Sequence, residues 1–362
     1  MAKKKLDLDD DTLDSEKLPL AALNREGDIV SSPENELRPK KLADYVGQKG
    51  VTGKLKVFLE AARLRSESLD HVLLSGPPGL GKTTLAHIVA NEMGGRLHLV
   101  PGPSLEKSVD LLAILTNLQA GDVLFIDEIH RLGRAIEETL YPAMEDYEIQ
   151  IVVGKDAGAQ SVTVPLPRFT LIGATTQSGR LAAPFRDRFG IHLNLEFYEQ
   201  SEMEEILRRS AKILDVSLSA EEIGAVASRS RGTPRIANRL LARVRDVLAV
   251  GRSRGEKVSG AAAVHSALDF LDVDARGLQP LDRKYLGVLV DNFRGGPAGI
   301  EAIAASLSED RITLEETVEP YLLKEGFILR TPKGRIATDR VYKHLGLEKI
   351  GNASADLDPV LF

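Results

Sequence analysis

Gly76-Pro77-Pro78-Gly79-Leu80-Gly81-Lys82-Thr83 is the stretch that decides the fold. It meets the phosphate-loop pattern G-x-x-x-x-G-K-[ST] at every fixed position. The apolar run His71–Ser75 in front of it has the length of a buried strand, and Thr83–Asn91 behind it reads as helix. Strand, glycine-rich turn and helix in that order curl backbone N–H groups around phosphate oxygens at the positive end of the helix. Lys82 then reaches the β- and γ-phosphates of ATP, and the Thr83 hydroxyl coordinates Mg2+.

Working outward, Val123–Ile126 is a second buried-strand run and ends in Asp127-Glu128. After a phosphate loop, an acid at a strand tip holds the metal shell, which assigns Asp127. Glu128 is placed to polarise the attacking water. A third run, Phe169–Ala174, ends at Thr175-Thr176, and Thr176 is the choice for contact with the γ-phosphate and water. Arg186-Asp187-Arg188 and then Gly232-Thr233-Pro234-Arg235 follow. An arginine offered by a neighbouring subunit stabilises charge building on the γ-phosphoryl group. Alternating strand and helix signals across the first two-thirds predict a parallel α/β sheet.

The chain has 362 residues, 53 acidic and 47 basic, with a formal charge of −6. That length allows two or three domains. No run approaches the ~20 apolar residues that span a bilayer. The start, MAKKKLDLDDD, lacks the apolar core of a secretory signal, and there is no cysteine, so a reducing cytoplasm is expected. The acidic balance excludes a protein that coats nucleic acid by bulk charge. Ten acids and five bases fall in residues 1–36, a polar segment expected to be a disordered tail. Residues 37–199 are expected to form the ATPase domain, 200–272 a helical domain in which Ser201 caps through Glu204, and 273–350 short helices with a strand pair around Thr331-Pro332-Lys333-Gly334. Residues 351–362 read as a loose end.

In order, the phosphate loop, Asp-Glu box, Thr-tipped strand, finger arginine and helical lid resemble the AAA+ ATPases. More narrowly, Leu37-Arg38-Pro39, Tyr45-Val46-Gly47-Gln48, GPPGLGKTTLAH (76–87), LFIDEIHRL (124–132), LYPAMEDY (140–147), FTLIGATT (169–176), RFGI (188–191) and SRGTPRIANRL (230–240) resemble the RuvB family of Holliday junction branch migration motors. The resemblance covers about residues 37–349 and implies a C-terminal winged helix. It implies ATP and Mg2+ as cofactors and a nucleotide pocket of Leu37, Arg38, Gly79, Gly81, Lys82, Thr83, Thr84, Glu145, Asp146, Tyr147, Tyr198 and Arg235. Arg188 would be the finger acting on a neighbour, Thr176 the first sensor and Arg235 the second. The family writes an arginine after Gly-Ala-Thr-Thr, and here that position is Gln177.

Ile149, Ile151 and Val153 alternate, as do Val162 and Val164, which reads as a hairpin with an apolar face. The residues alone leave open whether that face packs on its own domain or meets a partner; the resemblance implies RuvA, with RuvC acting in the same process. Residues 330–349 carry six bases against two acids, an excess that alone also suits a solvated face; with the resemblance it implies a wing in which Arg330 and Arg335 meet duplex DNA through its phosphates. The resemblance adds Arg311. A homo-hexameric ring, an ATP hydrolase acting as a DNA translocase, follows from the same likeness. The alternative is an ATP-switched clamp loader or initiator that binds DNA without translocating.

Overall fold

Three runs of near-continuous apolar residues form the inner strands of a parallel sheet. In this computed structural model, which describes residues 36–153, 160–255 and 260–348, they are β1 (Val72–Ser75), β3 (Val123–Asp127) and β6 (Thr170–Thr175). With β2 (Leu97–Pro101) and β7 (Ile191–Asn194) they give the order β2-β3-β6-β1-β7. All four pairings are parallel. Val123, Leu124, Phe125 and Ile126 are each at most 1% exposed. Burying such a side chain is worth about 1.5–3 kcal/mol. The expected tail over residues 1–36 lies, but for Glu36, outside the described residues, as do Lys349 and the end segment 351–362.

Helices α1 (Lys49–Arg65), α2 (Lys82–Met93), α3 (Ser108–Leu115) and α4 (Arg134–Glu145) cover the sheet. On the β3–β6 side, His71 is 2% exposed and its Nδ1 accepts from the Leu171 N–H at 2.9 Å. Its proton therefore sits on Nε2, which donates to the Met144 carbonyl at 3.1 Å. Burial holds the His71 pKa below its usual value. The hairpin is β4 (Glu148–Val153) paired with β5 (Gln160–Pro165), and its expected Gly154–Gly158 turn lies outside the described residues.

The lid comprises α5 (Gln200–Ile213), α6 (Ala220–Ser228), α7 (Pro234–Ser253) and α8 (Ala261–Phe270). Its first helix starts ahead of the expected Ser201 cap. Glu199 holds the cap position, and its N–H donates to the Glu202 carboxylate at 3.0 Å. One apolar cluster runs without a break from the sheet residues Val72 and Ile172 into the lid residues Leu207, Leu240 and Val244. A separate core holds α9 (Pro280–Asp291), α10 (Ile300–Leu307), α11 (Glu319–Lys324), the two-stranded wing β8 (Ile328–Thr331) and β9 (Gly334–Ala337), and α12 (Asp339–Leu345). Among the described residues no helix is long and apolar enough to cross a membrane.

Candidate active site

The loop between β1 and α2 wraps a cavity of about 600 Å³, within the usual size for a small-molecule site. Gly79 takes φ +78° against the lid, where a Cβ would fall 2.8 Å from Thr233 Cγ2, so no larger residue fits there. Lys82 opens α2, is 7% exposed, and its ammonium donates to the loop carbonyls of Gly76 (2.7 Å) and Pro77 (3.0 Å). Burial lowers the Lys82 pKa, opposed by the carboxylates of Glu128, Asp127 and Glu316.

Asp127 ends β3 and its side chain accepts from the Glu128 N–H at 3.0 Å. Glu128 leaves the strand with φ +50°, a left-handed turn unusual for a residue with a Cβ and common where side chains are aimed at chemistry. Its Oε2 accepts from the Thr176 hydroxyl at 3.1 Å and lies 3.1 Å from His130 Nδ1. Of the two threonines ending β6, Thr176 therefore reaches the general-base candidate. Thr175 is fully buried, with its hydroxyl 2.9 Å from His130 Nδ1.

Leu37, Arg38, Gly79, Gly81, Lys82, Thr83, Thr84, Asp127, Glu128, Tyr198 and Arg235 line this one cavity. The Tyr198 hydroxyl donates to the Leu80 carbonyl and bonds the Tyr45 hydroxyl at 2.9 Å, and burial pushes its pKa up to about 12. Arg235, Arg239 and Arg243, four residues apart on α7, turn toward the same cavity. This donor set suits a nucleoside triphosphate with its Mg2+: glycine-spaced backbone for phosphates, Thr83 and Asp127 for the metal, and a cationic wall.

The remaining sequence-selected residues lie elsewhere. Glu145, Asp146 and Tyr147 end α4 and do not line the cavity of their own chain. Tyr147 stacks edge-on against Phe169 beneath the Arg168 guanidinium instead. Arg188 shares the α4 end: its Nε is 3.2 Å from Glu145 Oε1 and its guanidinium covers the Tyr141 ring at 4.1 Å. Within a single chain the residues expected in the pocket thus fall into two clusters, one lining the cavity and one at the end of α4. Ile149, expected at a partner surface, is 1% exposed and packed in the sheet's core, because the root of the hairpin face is covered by its own domain. On that face Ile151 is half-buried against the same core, and the uncovered part is its cross-strand partner Val162, 45% exposed.

The wing arginines are more constrained than their sequence implies. Arg330 and Arg335 sit directly opposite on β8 and β9, where like charges repel. The fully buried Glu319 carboxylate lies between them and accepts from Arg330 Nε and Arg335 Nε, each at 2.8 Å. Arg335 is only 14% exposed at its side chain, whereas Arg330 and Arg311 are each 47% exposed.

Two residues the sequence did not single out join the site, and a third ties the lid turn to the winged helix. Tyr45 lay within a family-like run and clasps Tyr198. His130 follows the acidic pair and touches the general-base candidate. Arg231, in the lid turn beside Arg235, is 6% exposed and ion-pairs with the 2%-exposed Asp282 of α9. Its Nε also donates to the Gly277 carbonyl at 2.7 Å, and its guanidinium lies 5.0 Å over the Tyr321 ring. At the next position, Gly232 has φ +65°; a Cβ there would fall 2.6 Å from the Tyr198 carbonyl and 3.0 Å from Lys324 Nζ.

A parallel sheet with a phosphate loop, an acidic strand tip, a Thr-tipped neighbouring strand, a helical lid carrying an arginine toward the phosphates and a winged helix behind it define an AAA+ P-loop ATPase. Three family models match in succession: the P-loop domain of the Holliday junction DNA helicase RuvB at 37–195, the RuvB AAA lid at 198–274 and the RuvB C-terminal winged helix at 275–346. The chain belongs to the RuvB family. It is 55% identical over 313 residues to the Holliday junction branch migration complex subunit RuvB of Kosmotoga olearia, covering 86% of this chain and 91% of that one. The protein of the same name from Clostridium kluyveri is 55% identical over 322 residues, covering 89% and 91%. A mutant of Thermotoga maritima RuvB superposes with TM-score 0.80 at 50% identity, covering 86% of this chain and 99% of that one.

Proposed function

We propose that this protein is an ATP-driven motor that moves the branch point of a Holliday junction, acting in the cytoplasm as a six-membered ring on duplex arms together with RuvA, and with RuvC in recombination and repair. The observation that carries the reading is the division of the site. Lys82, Asp127, Glu128 and Arg235 line one cavity, with Thr176 bonded to Glu128, while Arg188 and Glu145 form a cluster apart from it. An arginine so placed completes only a neighbour's site, and a closed ring gives every subunit such a neighbour.

Glu128 takes a proton from the attacking water, with Thr176 fixing its carboxylate. Lys82 and the loop N–H groups would hold the phosphates, and Thr83 and Asp127 would hold Mg2+, which would supply charge neutralisation at the phosphoryl oxygens. Arg188 from the adjacent subunit meets the charge that develops, and Arg235 ties the phosphates to the lid. Arg311, Arg330 and Arg335 grip the DNA backbone. Val162, with the half-buried Ile151 beside it, presents the hairpin's apolar face to RuvA.

Migration of a four-way junction in the presence of ATP and RuvA tests the reading. The Glu128→Gln variant is expected to bind ATP and DNA and to leave the branch point where it is. ATP-dependent assembly on DNA by the unaltered protein, with no strand movement, would establish the loader alternative.

A further inference from the structure

The segment that feeds the wing also reaches the ATPase centre. Between Arg311–Thr313 and α11 the helix makes one π turn, Leu314–Val318, a form that inserts a residue and recurs at functional sites. Two consecutive carboxylates on this turn face different domains. Glu315 lies between the DNA-contact arginines: Arg311 Nε is 3.0 Å from its Oε2 and Arg335 Nη2 is 3.0 Å from its Oε1. Glu316 points the other way, and its Oε1 accepts from Gln177 Nε2 at 2.6 Å, across 139 residues of sequence.

Gln177 follows the Thr-tipped strand directly, and its own N–H donates to the Thr175 hydroxyl at 2.9 Å. That hydroxyl meets His130, and His130 meets Glu128. Polar contacts on either side of the Glu315–Glu316 backbone, continued through the side chain and N–H of Gln177, therefore connect the DNA-contact arginines to the candidate general base within one chain. The negative charge of Glu316 is also felt by Lys82 and His130, where it favours their protonated forms.

We propose that the Glu315–Glu316 pair couples DNA contact to ATP turnover: Glu315 shares Arg311 and Arg335 with the phosphate backbone, and Glu316 is a positioning residue that sets Gln177 beneath the catalytic carboxylate. A DNA phosphate competes with Glu315 for the same guanidinium donors. Freed from them, the π turn can shift its extra residue, and the shift moves Glu316 against Gln177. The inference rests on the DNA-contact reading above, and it makes the winged helix a partner of its own chain's ATPase site.

The test measures steady-state ATP turnover by the full-length protein with and without a saturating blunt duplex, alongside duplex affinity by fluorescence anisotropy. Glu316→Ala and Gln177→Ala are each expected to lower the ratio of kcat with duplex to kcat without it by about five-fold, or to one, while KM for ATP and duplex affinity stay within about two-fold. The double variant should fall no further than either single change, because both cut one connection. Glu316→Gln should restore most of the ratio, since an amide oxygen still accepts from Gln177. An unchanged ratio in Glu316→Ala with wild-type duplex affinity would overturn the coupling. An equal loss of duplex affinity would overturn it too, by making Glu316 part of the DNA grip. If the unaltered protein binds no duplex, the DNA-contact reading itself fails, and that result is distinct from either of these.

Discussion

Breaking the buried Arg231–Asp282 pair should destabilise the lid–winged-helix joint in two ways that pH tells apart. Asp282→Asn keeps an acceptor for the Gln279 N–H that caps α9, now 2.6 Å from the carboxylate, but puts a neutral amide where the counter-charge stood. Arg231, 6% exposed, is left with the Gly277 carbonyl and the Tyr321 ring. Removing one partner of a buried pair costs about 3–5 kcal/mol. Because a guanidinium does not give up its proton, that loss should not vary with pH. Arg231→Met leaves the opposite problem, a buried carboxylate whose pKa burial already raises against the pull of Arg231. A folded-state pKa above the unfolded value means that the deficit shrinks as pH falls through it. Acidification should therefore recover part of the Arg231→Met loss, by at most about 1.36 kcal/mol for each pH unit below the folded-state value. The double change Arg231→Met with Asp282→Asn should regain most of either loss. Hydrogen exchange followed by mass spectrometry reads the joint through peptides from 260–348, with β1 and β6 as internal reference. A shift under about 1 kcal/mol in Asp282→Asn would refute the argument, since a buried pair is worth more than that. So would an Arg231→Met deficit that ignores pH.

Arg330→Ala should weaken binding to all duplex sequences alike and reduce the slope of log K against log salt by about 0.9, the value for one phosphate contact; titrations at several salt concentrations check it, and a sequence-dependent loss would count against a backbone grip. Arg330→Ala and Arg335→Ala should each destabilise the winged helix by about 1.5–3 kcal/mol, because each strips a charged hydrogen bond from the buried Glu319, and Arg335→Ala should cost more in urea unfolding, since Arg335 is less exposed and also bonds Glu315. Acidification should loosen the ATPase domain from about pH 6.5 downward: the folded-state pKa of His71 is lowered, so the unfolded chain takes the proton first, and exchange of the Leu171 amide should quicken. Val162→Asp should abolish RuvA capture at unchanged thermal stability, whereas Ile149→Asp should unfold the domain by burying a carboxylate; capture that survives Val162→Asp would remove the hairpin from the interface.

Strands buried on both faces were legible because they read as unbroken apolar runs. That is why β1, β3 and β6 stand out, together with the chemistry at their tips. The edge strand β2 and the short β7 were not, since exposed and buried positions mix in both and neither gives such a run. The phosphate loop, Asp127-Glu128 and Thr176 were legible because their spacing is local. What the sequence hid depends on approach across the chain. Glu316 lies 139 residues from Gln177, and Arg231 lies 51 residues from Asp282. Burial of Ile149 was hidden too, since alternation shows that a face is apolar without showing what covers it.

Gly232 places the lid turn against the carbonyl of Tyr198 on one side and the ammonium of Lys324 on the other. On the Tyr198 side backbone meets backbone with no side chain between them, whereas on the winged-helix side the contact is the tip of a flexible lysine. The joint is therefore stiff toward the ATPase domain and compliant toward the winged helix. A rotation of the lid at this point is passed to the Tyr198 backbone undamped, because no rotamer on that side can yield and absorb part of it. Even a methyl group at that position would act as a shim, forcing the domains apart before any nucleotide arrived.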